Sequence, residues 1–200
     1  MRSPDDPRAG DDDTFDVVFV CTGNRARSPF AAEVLRDLTD YLPVSVASRG
    51  TVDVGGAPGL PEAVWAAGQL GVDLRSHRAR SLARNELVDS DLVVGFEPLH
   101  VAEAVVRGGS AREKSFLITE LAGLLESGRV HTGHDASFAW LAVEQAADAR
   151  RAERFVQAEP VADPLGRSRH DVLATFEQVR DLVEVIAAGL FGVRARRVVD

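Results

Sequence analysis

The chain has 200 residues, 45% of them hydrophobic and 27% charged, with a formal net charge of −8 at pH 7. That length and balance suit one soluble globular domain with an ample core. The acidic charge argues against a nucleic-acid or anionic-membrane surface, and the single cysteine excludes an intrachain disulfide and gives no sign of an oxidising compartment.

Residues 1–14 carry Pro4, Pro7, Gly10 and five aspartates and read as a disordered acidic tail, with a single domain over 15–200. The start is polar without a signal-peptide pattern, and no apolar run is long enough to span a membrane, so the expected location is the cytoplasm. Residues 15–20 are almost all apolar, as in a buried parallel strand. A tight loop containing Gly23-Asn24 follows, then a helix over 29–38. A second strand covers 44–48, residues 52–59 form a glycine-rich loop, and a helix opening on Pro61 runs to 69, ended by Gly71. A third strand is expected over 91–96, a helix over 98–107 stopped by Gly108-Gly109, a fourth strand over 115–118 and a short helix over 120–125. After a loop over 128–133, amphipathic patterning predicts a long helix over 136–158 and a last one over 169–190. His131 and His134 have a spacing that could bind metal, but no carboxylate or cysteine pattern supports a site, and they read as exposed. Strands alternating with helices predict an α/β fold: a three-layer domain with a central four-stranded parallel sheet covered on both faces. Ligands of such sheets bind at the carboxyl ends of the strands.

The only cysteine falls at that place. Cys21 ends the first strand, Arg27 follows six residues later, and Ser28-Pro29 opens the helix. A lone cysteine ending a buried strand is ordinarily a small core residue. Here the loop curls into a helix N-terminus, whose free N–H groups and dipole make an anion cradle. Gly23 and Asn24 suit unusual backbone geometry, Ser28 suits the cap and Pro29 the first turn. A thiolate in that cradle is stabilised as a nucleophile. Arg27 offers two parallel donors to a phosphate-like anion, and the Ser28 hydroxyl can donate to the sulfur.

The stretch Cys21-Thr22-Gly23-Asn24-Arg25-Ala26-Arg27-Ser28-Pro29 resembles the signature of the low-molecular-weight protein tyrosine phosphatases, whose fold and loop are shared by thiol-linked arsenate reductases. The resemblance runs over about 15–191. It implies a cysteine-dependent phosphatase acting on phosphate monoesters, protein phosphotyrosine first among them, through a phosphocysteine. Cys21, Arg27 and Asp163 would be the catalytic residues. Thr22, Gly23, Asn24, Arg25, Ala26 and Ser28 would surround the phosphoryl group. Asp163, in Ala162-Asp163-Pro164, corresponds to the family's late Asp-Pro general acid, and Pro164 holds it in extended geometry. The histidine of the family's Val72 to Arg80 stretch, His77 here, is structural, and Arg78 and Arg80 read as surface or loop-anchoring charges. No cofactor and no metal are implied. The expected partners are a phosphorylated protein or small monoester, with inorganic phosphate as product, no nucleic acid and no membrane, acting on a monomer.

The chain also departs from the family. Ala26 stands where a second loop cysteine is frequent, so reductases with internal resolving cysteines are excluded, whereas arsenate–mycothiol transfer is not. A non-catalytic phosphate-binding module is a third reading, but binding alone needs neither thiol nor acid. Arg49 replaces alanine in Ser48-Arg49-Gly50-Thr51, and the usual methionine near Gly95-Phe96 is missing. Val52, Asp53 and Leu165 occupy places where aromatic residues usually wall the cleft, and Arg25 stands above the loop. Such a cleft is expected to discriminate less for phosphotyrosine and to favour charged or acidic-flanked substrates.

Overall fold

The structure, a computed structural model, describes residues 14–128, 130, 137–152 and 158–193. In chain order these form β1 (Phe15–Cys21), α1 (Arg27–Leu38), β2 (Val44–Gly50), α2 (Pro61–Gln69), β3 (Leu92–Gly95), α3 (Pro98–Val106), a 3-10 turn (Arg112–Lys114), β4 (Ser115–Leu117), α4 (Ile118–Glu126), α5 (Ser137–Ala152) and α6 (Arg169–Phe191). Residues 1–13 of the expected 1–14 tail, His131, His134 and residues 153–157 of the expected 136–158 helix lie outside the described residues, and Ala158, its expected last residue, is not helical.

The four strands make one sheet in the order β2-β1-β3-β4, every pair parallel. β1 is central and both its faces are covered, which is why it is nearly continuous in apolar residues. Phe15, Val17, Phe19 and Cys21 point into the larger core with α1 and α6, while Val18 and Val20 point to a smaller cluster with Leu82, Leu87 and Ala104. That alternation is the period of two that a strand imposes. Phe30 of α1 stacks on Phe176 of α6 at 4.2 Å between ring centroids, and Phe15 meets Phe191 edge-on at 5.7 Å. Each of these rings is fully buried, and truncating one to alanine costs about 3–5 kcal/mol. The core thus clamps the last helix against the helix that carries Arg27. α6 is capped at both ends: Ser168 Oγ accepts from Asp171 N–H, and Gly192 closes the helix at φ +66°.

The elements lie where sequence patterning places them, with one informative shift. α1 starts at Arg27, two residues before the expected 29, and its N-cap is Ala26, which offers no side-chain cap. Ser28 is therefore not the cap: it lies inside the first turn, and its hydroxyl lies within hydrogen-bond distance of Cys21.

Candidate active site

The register Cys21↔Gly50 and Val20↔Gly95 brings the carboxyl ends of β2, β1 and β3 to one edge, so the residues after them converge. The 21–28 loop crosses that edge. From Gly23 to Ser28, no backbone N–H donates to a protein acceptor among the described residues; the first helical bond is Phe30 N–H to Ala26 O at 3.2 Å. A run of free donors at the positive end of a helix is an anion cradle.

Cys21 is buried at 3% exposure, and its Sγ lies 3.0 Å from Ser28 Oγ. Ser28 Oγ already accepts from Asn24 Nδ2 at 3.0 Å, so its own hydrogen can go to the sulfur at 3.0 Å or, over the longer 3.4 Å, to the Arg49 carbonyl. Asn24 is the hub of the loop. It has φ +51°, and its fully buried amide also donates to Ser48 Oγ at 2.8 Å and accepts from Arg80 N–H at 2.8 Å. Its carbonyl oxygen lies 2.7 Å from His77 Nε2, which gives His77 the structural role that the resemblance implied.

The geometry expected of Gly23 falls elsewhere. Gly23 does not have positive φ, and a Cβ there would approach nothing in the protein closer than Arg25 Cδ at 3.9 Å. The left-handed residue is Asn24, and the glycine that sterics require is Gly50. A Cβ on Gly50 would lie 3.0 Å from Gly23 C and Thr22 O and 3.1 Å from Asn24 N, because β2 runs directly beneath the loop. Ala26 is buried. Arg49 turns away from the loop to pair with Glu86 at 2.6 Å.

Arg27 is 1% exposed. Its Nη1 donates to Glu97 Oε1 at 2.6 Å and to the Val161 carbonyl at 2.7 Å, and its Nη2 meets Asp163 Oδ2 at 2.8 Å. Val161 N–H in turn donates to the Phe96 carbonyl at 2.9 Å, stitching the 161–163 segment to the end of β3. Asp163 Oδ1 accepts from Leu165 N–H at 3.0 Å, a turn across Pro164. Thus Asp163, far along the chain, is brought by Arg27 to the loop that carries Cys21, and the side chain of Asp163 is 41% exposed.

Two members of the site were absent from the sequence reading. Glu97 anchors Arg27, and His100 lies behind Thr22. His100 is 1% exposed; its Nδ1 accepts from Glu97 N–H at 3.1 Å, so Nε2 carries the hydrogen that reaches Thr22 Oγ1 at 3.0 Å. Burial, and then the Arg27 charge, push the imidazole down to about 4, against the opposing pull of Glu97 and Asp163. The neutral ring thereby fixes the Thr22 hydroxyl as an acceptor from His100, with its own hydrogen free. The only hint of these two residues in the sequence was a Glu-Pro pair closing a strand.

Arg25 is half-buried above the loop, with Nε donating to the Pro58 carbonyl at 2.7 Å. Leu165 is 66% and Val52 50% exposed, and Asp53 caps its own turn through Gly55 N–H. A cleft of about 260 Å³ beside the acid is lined by Leu60, Ala63, Pro164 and Leu165, with Glu62 and Arg167 at its rim.

A parallel α/β sheet with a cysteine loop at its carboxyl edge defines a class of anion-handling enzymes. Residues 16–133 match the family described as Low molecular weight phosphotyrosine protein phosphatase, and the chain belongs to that family. It is 34% identical over 106 residues to the probable low molecular weight protein-tyrosine-phosphatase EpsP of Ralstonia solanacearum, covering 52% of this chain and 71% of that one. It is 30% identical over 107 residues to the Protein-arginine-phosphatase of Bacillus subtilis, covering 52% and 71%. Among solved structures, the low molecular weight protein tyrosine phosphatase of T. tengcongensis superposes with a TM-score of 0.66 at 25% identity, over 88% of this chain and all of the other. The chain is thus a phosphatase of this family. The matched span ends before Asp163.

Proposed function

We propose that the chain hydrolyses phosphate monoesters, with protein phosphotyrosine as the principal substrate, through a phosphocysteine intermediate. Arg27 and the 22–28 N–H groups would hold the phosphoryl oxygens. The Cys21 thiolate attacks phosphorus in line, forming the S–P bond as the P–O bond to the leaving group breaks. Asp163 gives its proton to that oxygen, then takes one from the water that breaks the S–P bond and releases inorganic phosphate. Ser28 donates to the sulfur when it leaves as thiolate. Positioning and fixed positive charge supply the rate, and the scheme calls for no cofactor.

The observation that carries this reading is the meeting of nucleophile loop and acid around one guanidinium: Arg27 lies in the loop of Cys21 and pairs with Asp163 at 2.8 Å. Among the described residues no helix is long and apolar enough to cross a membrane. We place the activity in the cytoplasm, on a monomer whose single domain spans 15–200 behind an acidic tail. The exposed Val52 and Leu165 offer no aromatic wall, which favours relaxed selectivity among monoesters.

The test is a panel: phosphotyrosine and phosphoserine peptides, phosphoarginine, p-nitrophenyl phosphate, and arsenate with mycothiol. Phosphoarginine belongs there because a relative is named for that activity. The expected result is phosphate release from aryl phosphates, with phosphotyrosine preferred over phosphoserine by a narrow margin. Efficient arsenate-dependent thiol transfer without phosphate release would overturn it, as would phosphate binding with no turnover.

A further inference from the structure

We propose that Arg25, Arg78 and Arg80 form a docking strip for acidic residues that flank the phosphorylated residue of a protein substrate; this rests on the phosphatase reading above. The three arginines are distant in sequence and are brought together by backbone hydrogen bonds. Arg25 Nε donates to the carbonyl of Pro58, and Pro58 pairs with Arg78 in an antiparallel bridge. Ala79 N–H donates to Ala57 O at 2.9 Å, Arg80 N–H to Asn24 Oδ1, and the Arg80 carbonyl accepts from Gly50 N–H at 2.8 Å. The segment bearing Arg78 and Arg80 is therefore tied both to the back of the cysteine loop and to the loop above it.

Ala79 is buried at 7%, while Arg78 and Arg80 are exposed. In an extended segment, residues two apart share a side, so both side chains leave the chain on one side; Arg78 Nη1 donates to the His77 carbonyl at 2.8 Å, which steadies its guanidinium without neutralising it. None of the three arginines has a carboxylate within ion-pair distance among the described residues. Neighbouring arginines are neutralised instead: Arg49 by Glu86, Arg75 by Asp73 and Arg107 by Glu103. In a chain of net charge −8, an acidic peptide is repelled overall. A cationic strip tied to the cysteine loop, without carboxylate partners among the described residues, gives such a peptide local attraction and a register.

The experiment uses one phosphotyrosine peptide with acidic, neutral or basic flanks, the wild-type chain, and the Arg78→Ala/Arg80→Ala variant. Arg80 contributes to the loop through its backbone, so the variant keeps that bond, and turnover of p-nitrophenyl phosphate should be unchanged. The wild type should favour the acidic over the neutral peptide by about fivefold in kcat/KM, carried by KM and weakened at ~0.5 M salt. The variant should reduce that ratio to about twofold or less. Equal efficiency on acidic and neutral peptides in the wild type, or an undiminished preference in the variant, would overturn the strip. Loss of p-nitrophenyl phosphate turnover in the wild type would refute the phosphatase reading instead. The strip is then still read from the relative affinity of the Cys21→Ser protein for acidic and neutral phosphopeptides.

Discussion

Arg27 Nη2 lies 2.8 Å from Asp163 Oδ2, and the two side chains differ sharply in exposure, 2% against 41%. The guanidinium is the fixed partner, held from behind by Glu97 and Val161; the more exposed carboxylate, which also accepts from Leu165 N–H at 3.0 Å, is the one placed to turn. A phosphoryl group on Arg27 would compete with Asp163 for Nη2 and release the carboxyl toward the leaving oxygen. Asp163→Asn should therefore lower kcat by about a hundredfold or more on a monoester with a poor leaving group. The loss should shrink as the leaving phenol becomes more acidic, because less protonation is needed. A series of aryl phosphates measures the slope, and an Asp163→Asn slope equal to that of the wild type would count against the acid role.

Glu97 should matter without touching substrate. Its removal leaves the buried Arg27 without its strongest anchor, and breaking one side of a hydrogen-bonded buried charge is costly. Glu97→Gln should reduce kcat/KM by about ten- to a hundredfold, roughly 1.4 kcal/mol per decade. Inorganic phosphate should inhibit the variant more weakly. Unchanged inhibition by phosphate would show that Arg27 is held without Glu97.

These two residues mark what the sequence did and did not disclose. The apolar run before Cys21, the spacing to Arg27 and the Asp163-Pro164 pair are local patterns, and each could be read directly. So could Pro61 and Gly71 at the ends of α2. Glu97 and His100 act because β3 lies beside β1 in the order β2-β1-β3-β4, an adjacency that no local pattern encodes. The same holds for Gly50, required only because β2 passes under the loop. Ser28 was legible as a partner of the sulfur, but the cap also read into it was not realised, since a capping serine and a serine inside the first turn look alike in sequence.

His100 couples stability to pH. Its ordinary value is 6.5 and the folded value is about 4. Above pH 6.5 both states carry a neutral ring and the group contributes nothing to the pH dependence. Between 6.5 and 4 the unfolded chain binds a proton that the native chain does not, so stability falls as pH falls through that window. The loss is about 2 kcal/mol by pH 5 and about 3 kcal/mol by pH 4. Urea unfolding of the wild type and His100→Gln at pH 7.5, 6 and 5 should show the wild type losing more stability on acidification. Parallel curves would contradict the buried neutral ring.

Gly50→Ala should separate fold from activity. The added methyl meets backbone atoms of the loop, which cannot yield as a flexible side chain would. Stability should drop by about 1–3 kcal/mol, with a larger proportional loss of kcat because Asn24 and the free N–H groups are displaced. Gly23→Ala meets only the Arg25 side chain, at an ordinary 3.9 Å, and should cost less stability. The reverse order in thermal unfolding would contradict the steric assignment.

The central claim is that Cys21 carries the phosphoryl group. Asp163→Ala and Cys21→Ser/Asp163→Ala proteins, mixed with p-nitrophenyl phosphate and acid-quenched, can be compared by peptide mass spectrometry, alongside steady-state turnover by Cys21→Ser. The account predicts a phosphoryl adduct on Cys21 in the first protein and no phosphocysteine in the second, which has no cysteine, with turnover by Cys21→Ser abolished. Wild-type turnover by Cys21→Ser would contradict it.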